Sequence, residues 1–181
     1  MGRGISSRSY ATSNSRLQTG PHNPYRRSMD PLKELRGLVA DTSDPGNPSA
    51  EVMHDLFRRI RRIIVVGISR SPEKPSRSVP AYLSARGYEI VPVNPSAERI
   101  LGRTAYPSLA EVPGPADMVM IFRPSDQAGP FVLEAAARPE RPAIWLSEGI
   151  RADAEIAAVR ARGITAVQNL CAYRAHKSLP G

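Results

Sequence analysis

Between residues 63 and 168 the chain alternates short apolar runs with segments whose apolar positions recur at helical spacing. Ile63-Ile64-Val65-Val66-Gly67 is an unbroken β-branched run closed by glycine, the pattern of a strand covered on both faces. Further strands are predicted at 88–93 (YEIVPV), 117–122 (DMVMIF), 143–146 (AIWL) and 165–168 (TAVQ). Helices are predicted over 76–86, 125–137 and 151–162, with Gly87 and Gly163 as stops. Pro80 falls in the first turn of the first helix, where a missing N–H is tolerable. Strands alternating with helices imply a parallel sheet with right-handed crossovers. The predicted fold class is therefore α/β: a doubly wound, mostly parallel, Rossmann-like sheet of about five strands with helices on both faces.

Ahead of the sheet, Val52, Met53, Leu56, Phe57 and Ile60 predict a helix over 49–61, with Ser49 as N-cap. Its basic end (Arg58, Arg59, Arg61, Arg62) complements the helix dipole and needs no nucleic-acid partner. Residues 31–40 carry a shorter amphipathic pattern, and DTSDPGNPSA at 41–50 reads as a linker. Residues 1–28 lack apolar periodicity and cannot bury enough surface to offset their ordering. The expected organisation is a disordered or weakly structured extension over 1–48 and a folded domain over 49–181. The first 28 residues read as an inert tail; a transit peptide, or a start at Met29, also fits their composition.

Charge adds little once it is located. Of the net +8, five charges lie on arginines within 1–28, leaving +3 for the remainder. Nucleic acid is therefore not an expected partner. The single cysteine, Cys171, excludes an internal disulfide framework and fits a reducing compartment. No run reaches the roughly 18 apolar residues of a membrane span. A cytoplasmic protein with no membrane partner is expected, and a homo-oligomer is compatible with the sequence.

Ligands of open α/β sheets bind at the carboxyl ends of the strands. The first such loop, GISRSPEKPS (67–76), combines Gly67, the hydroxyls of Ser69 and Ser76, and the cations Arg70 and Lys74, with Arg77 just beyond it. It opens onto a helix amino terminus, whose unpaired N–H groups favour an anion, so it reads as a phosphate-binding loop. The dinucleotide pattern G-x-G-x-x-G reads Gly67, Ser69 and Pro72 here, lacking two glycines. The second strand ends Val93-Asn94-Pro95, with no carboxylate to hold a ribose. Both features disfavour a redox dinucleotide. Gly102 is expected to supply a turn, and YPSLAEVP (106–113) a short helix capped by Ser108. Phe122 and Arg123 end the third strand, where a ring can stack on a base and a guanidinium can pair with phosphate. Glu148 and Gly149 follow the fourth strand. His22 and His54 have no ligand company, so no metal site is expected. Cys171 and His176 read as a buried thiol and a surface imidazole rather than a nucleophile and its base.

The ordered set VVGISRSPEKPSRSVPAYL, GYEIVPVNP, ILGRTAYPSLAEVP, MVMIFRPSD, IWLSEGI and C-x-x-x-x-H resembles the small stand-alone coenzyme A-binding proteins. These are similar to the coenzyme A-binding domain of the succinyl-CoA synthetase α chain. The resemblance spans about 49–179. It implies coenzyme A or acyl-CoA as ligand, with Gly67 and Ser69 at the pyrophosphate turn. It puts Lys74 and Ser76 on phosphate and Asn94 and Pro95 beside the adenosine. Phe122, Arg123, Glu148 and Gly149 would flank the ligand. Three departures stand out: Ser147 in place of Gln, Ala175 in place of an acid before the final His, and Asn169-Leu170 in place of Asp-Arg. A binding protein without catalytic residues of its own is expected, since no phosphohistidine or grasp domain is present. The alternatives are an NAD(P)-type nucleotide-dependent enzyme and a nucleotide-sensing regulatory module.

Overall fold

A computed structural model describes residues 30–180. The tail over 1–28 lies outside the described residues. Five strands build the main sheet: β1 (Arg62–Val66), β2 (Glu89–Val93), β5 (Met118–Ile121), β6 (Ala143–Leu146) and β7 (Ala166–Val167). All pair in parallel, in the order β2-β1-β5-β6-β7. Chain order reverses at the β1/β5 seam, so the loops leaving these two strands frame the switch-point crevice of a doubly wound sheet.

The strands are apolar throughout because both faces are covered. Ile63, Val65, Met118, Met120 and Trp145 point to one layer. That layer holds α1 (Lys33–Asp41), α2 (Ala50–Arg59), α3 (Pro75–Ala85) and α6 (Ala172–Lys177). Ile64, Val66, Val119, Ile121 and Leu146 point to the other, beneath α4 (Ser125–Ala136) and α5 (Asp153–Ala161). Trp145 is fully buried, and its indole N–H donates to the Leu170 carbonyl at 2.7 Å. Ser49 caps α2 by accepting the Val52 N–H, as its position predicts.

Three elements depart from the sequence reading. YPSLAEVP is not a helix: prolines bracket it, and only the Val112 N–H to Leu109 carbonyl closes a turn. Before it stands a hairpin, β3 (Arg99–Ile100) and β4 (Arg103–Thr104), turning through Leu101 and Gly102, both at positive φ. Tyr106 then runs beside β2, exchanging hydrogen bonds with Pro92 and Asn94, and so covers an edge that Pro92 already blunts.

Residues 30–48, assigned from sequence to the extension, pack against the domain. Leu35 of α1 is fully buried in the same layer as Met53. The expected linker holds Asn47, which is 9% exposed and grips the end of β7. Its amide donates to the Gln168 carbonyl at 2.9 Å and accepts the Gln168 N–H at 2.9 Å, as a strand partner would. Arg160 ties the same knot to Asp44 and Asn47. Among the described residues no helix is long and apolar enough to cross a membrane.

Candidate functional site

The β1–α3 loop is shaped by two residues that lack what others have. Gly67 sits at φ +80, and a Cβ there would lie 2.5 Å from the Phe122 carbonyl oxygen. Only glycine lets the loop leave β1 against the start of the β5–α4 loop. Pro80 stands inside α3, as its sixth residue, rather than in its first turn. An N–H at residue 80 would take the Ser76 carbonyl; Pro80 has none, and Ser76 accepts the Ser69 N–H at 3.3 Å instead. The proline thus couples the loop to the helix.

Ser69 also accepts the Ser71 N–H through Oγ at 3.1 Å, and the Lys74 N–H returns to the Ser71 carbonyl. Several amides of the loop are therefore spent within it. Those of Ile68 and Arg70 are not among the loop's hydrogen bonds to described residues. Lys74 is the N-cap of α3, makes no side-chain cap, and precedes Pro75 at N1. Arg70 and Lys74 are exposed, and Ser76 is half-buried.

Asn94 serves the architecture of this edge. Its side chain donates to the Ile68 carbonyl at 2.8 Å and accepts the Ser96 N–H at 2.8 Å. It fastens the β1 loop to the end of β2, with exposed Pro95 beside it. Phe122 packs partly into the core under α3, and Arg123 donates to Gln127 while its guanidinium lies 6.0 Å from the Phe131 ring centroid. The β6 loop stands further along the sheet. Gly149 donates its N–H to Asn169 Oδ1 at 2.8 Å, and Glu148 pairs with Arg174 at 3.0 Å.

The fold thus gathers Gly67, Ser69, Arg70, Lys74, Ser76, Phe122 and Arg123 around the switch point, with Asn94 and Pro95 on one flank and Glu148 and Gly149 on the other. Three groups at this edge, one on Arg123 and two on residues outside that set, have an unmet need. Arg77 Nε, Arg123 Nε and Ser147 Oγ are buried without a hydrogen-bond partner among the described residues. All three lie on segments adjoining the carboxyl ends of β1, β5 and β6. Arg77 was legible as a cation of the loop. Ser147 stood out only as a departure from a motif, and Asn169 likewise.

Cys171 and His176 differ from their expected settings: both are half-buried. His176 is held by two phenols, Tyr82 Oη on Nδ1 and Tyr88 Oη on Nε2, each at 3.1 Å. Both ring nitrogens are engaged there, so they are not directed to the Cys171 thiol.

Residues 61–177 match the family model described as "CoA binding domain". The chain is 36% identical over 130 residues to the uncharacterized protein YneT of Bacillus subtilis, covering 72% of this chain and 96% of that protein. It is 31% identical over 105 residues to an ADP-forming acetate–CoA ligase of Archaeoglobus fulgidus, but spans only 16% of that enzyme. A solved structure from Thermus thermophilus superposes with a TM-score of 0.67 at 31% identity, covering 72% of this chain and 98% of that one. A structure from Pyrococcus horikoshii gives 0.69 at 28% identity, covering 74% and 94%.

Proposed function

This chain belongs to the CoA-binding domain family, and on that footing we propose that it binds coenzyme A or an acyl-CoA at the β1/β5 switch point and catalyses no reaction alone. The observation that carries the reading is the family match over 61–177, which encloses every loop of the crevice. The chemistry of the crevice agrees with it. Arg70, Lys74 and Arg123 bring positive charge to a glycine-gated strand end beside an uncapped helix amino terminus. The guanidinium of Arg77 adds a further cation to the same edge, and guanidinium groups pair well with phosphate oxygens.

In this reading Gly67 and Ser69 border the pyrophosphate, and Arg70, Lys74 and Ser76 contact phosphate. Asn94 and Pro95 border the adenosine; Phe122, Arg123, Glu148 and Gly149 flank the remainder. Asn94 offers no acid for a ribose clamp and spends its amide on the Ile68 carbonyl, which favours coenzyme A over NAD(P). One fact favours binding without catalysis: His176 engages two tyrosines rather than Cys171. The reading treats residues 30–180 as the binding unit.

Thermal unfolding of the full chain with CoA, acetyl-CoA, NAD, NADP and ATP tests the proposal. CoA or acetyl-CoA at 100 times Kd is expected to add about 2.7 kcal/mol of stability. Stabilisation by NAD with none by CoA would overturn it.

A further inference from the structure

We propose that a second site, walled by α2, α3 and α6, binds a small organic oxyanion: a phosphate- or carboxylate-bearing metabolite with an apolar body. The cavity there measures about 270 Å³. Ligand pockets run from about 300 to 1,000 Å³, so the occupant is smaller than a nucleotide. It is remote from the switch point. Arg86, which lines it, is the C-cap of α3, whereas the β1 loop feeds the other end of that helix. Eleven helical residues separate the two ends by about 16 Å.

The lining combines Arg58, Arg86 and Lys177 with His54 and His176, and no carboxylate of the described residues. None of the three permanent cations has a carboxylate within 4 Å among the described residues, whereas Arg36 has two and Arg62 and Arg174 have one each. The nearest acid on α2 is Asp55, which faces His54 at 4.0 Å and is 66% exposed. Arg86 is stacked over the Tyr82 ring at 5.1 Å and Lys177 over Tyr173 at 5.6 Å, so aromatic faces set the cations around the rim. Phe57 and Leu179 supply an apolar wall.

The floor is rigid. Tyr88 donates its hydroxyl to the Phe57 carbonyl at 2.9 Å, so its oxygen accepts from His176 Nε2. Nδ1 is then left to accept from Tyr82. Every polar group of the floor is matched, and the unmatched charge is all on the rim. A rigid aromatic floor under unpaired cations selects an anion with a planar or apolar body.

Phenyl phosphate, benzoate and inorganic phosphate, titrated into the full chain by NMR, test this. One organic probe at least is expected to bind and to move the ring resonances of His176 and Tyr82; which probe wins identifies the head group. The double variant Arg58→Gln/Arg86→Gln changes only exposed side chains and is expected to weaken that binding about tenfold or more. Lys74→Glu and saturating CoA are expected to leave it unchanged. The proposal is overturned if neither organic probe binds up to about 10 mM. It is equally overturned if the double variant binds as well as the parent, if the shifts fall on the Gly67–Ser76 loop, or if inorganic phosphate binds as tightly as the organic probes. Loss of CoA binding with retention of phenyl phosphate binding would count against the switch-point reading alone.

Discussion

Gly67 lies so close to Phe122 that a Cβ on the glycine would stand 2.5 Å from the Phe122 carbonyl oxygen. The contact joins the two loops on either side of the β1/β5 seam, and it is made at a positive φ. Gly67→Ala therefore meets two penalties, left-handed backbone and overpacking, together roughly 2–4 kcal/mol. Urea unfolding is expected to show that loss. Because the displaced atoms belong to the proposed ligand crevice, CoA affinity is expected to fall as well.

Lys74 separates binding from stability. Its side chain is exposed and caps nothing. Lys74→Glu is expected to change unfolding free energy by no more than about 0.5 kcal/mol. Titration calorimetry is expected to show CoA affinity down about tenfold or more, as for a lost charge-assisted phosphate contact. Equal affinity in the variant would remove the phosphate assignment from this loop.

Asn47 links a segment that reads as a linker to the far edge of the sheet. Its buried amide satisfies both the N–H and the carbonyl of Gln168 and accepts from Arg160 at 2.8 Å. Asn47→Ala leaves these groups without partners in a buried setting, at a cost of roughly 2–3 kcal/mol. Chemical denaturation measures it. A change below about 0.5 kcal/mol, ordinary for a surface site, would mean that residues 30–48 do not fold with the domain.

The strands were legible because each is buried on both faces, which forces unbroken runs such as Ile63–Val66 and Met118–Ile121. The loops of the candidate site were legible for the same reason, since a strand's end marks where its loop begins. The β3–β4 hairpin was not, because two-residue strands carry no alternation to read. Asn47 was hidden by its Pro- and Gly-rich surroundings, which signal irregular backbone but not where its hydrogen bonds go. The His176 cluster draws on Tyr82 of α3 and on Tyr88, just before β2, at separations of 94 and 88 residues, beyond any local pattern. Pro80 was visible, but its consequence depended on knowing that Ser69 lies over Ser76.

That consequence is testable. Pro80→Ala restores an N–H that competes for the Ser76 carbonyl, so the Ser69 amide loses its acceptor. The helix gains a bond as the loop loses one, so global stability is a poor readout. Amide hydrogen exchange is the direct one. With a hydrogen bond worth about 1 kcal/mol, exchange at Ser69 is expected to quicken about fivefold. Unaltered exchange would show that the loop does not depend on the proline.

Acid should act through His176. Burial, and after it the nearby Arg86, hold this imidazole below its ordinary value of 6.5. Among the described residues, the groups facing it are Tyr82 and Arg86 at α3 and Tyr88 before β2, with His54 and Arg58 of α2 and Lys177 of α6 lining the same cavity; none is a carboxylate that could offset a proton. A base whose folded pKa is depressed binds protons more readily when unfolded, so stability rises with pH through that window. The contribution is present above pH 6.5 and is lost as pH falls from 6.5 toward the folded value. Urea midpoints measured from neutral pH downward are expected to drop across that window, and His176→Gln is expected to flatten the slope. An unchanged slope in the variant would assign the acid sensitivity to another group. An oxyanion held beside Arg86 works in the opposite direction, since it cancels part of the charge that opposes protonation. Saturation with the tighter organic probe is therefore expected to move the His176 titration, read from its ring proton by NMR, toward higher pH.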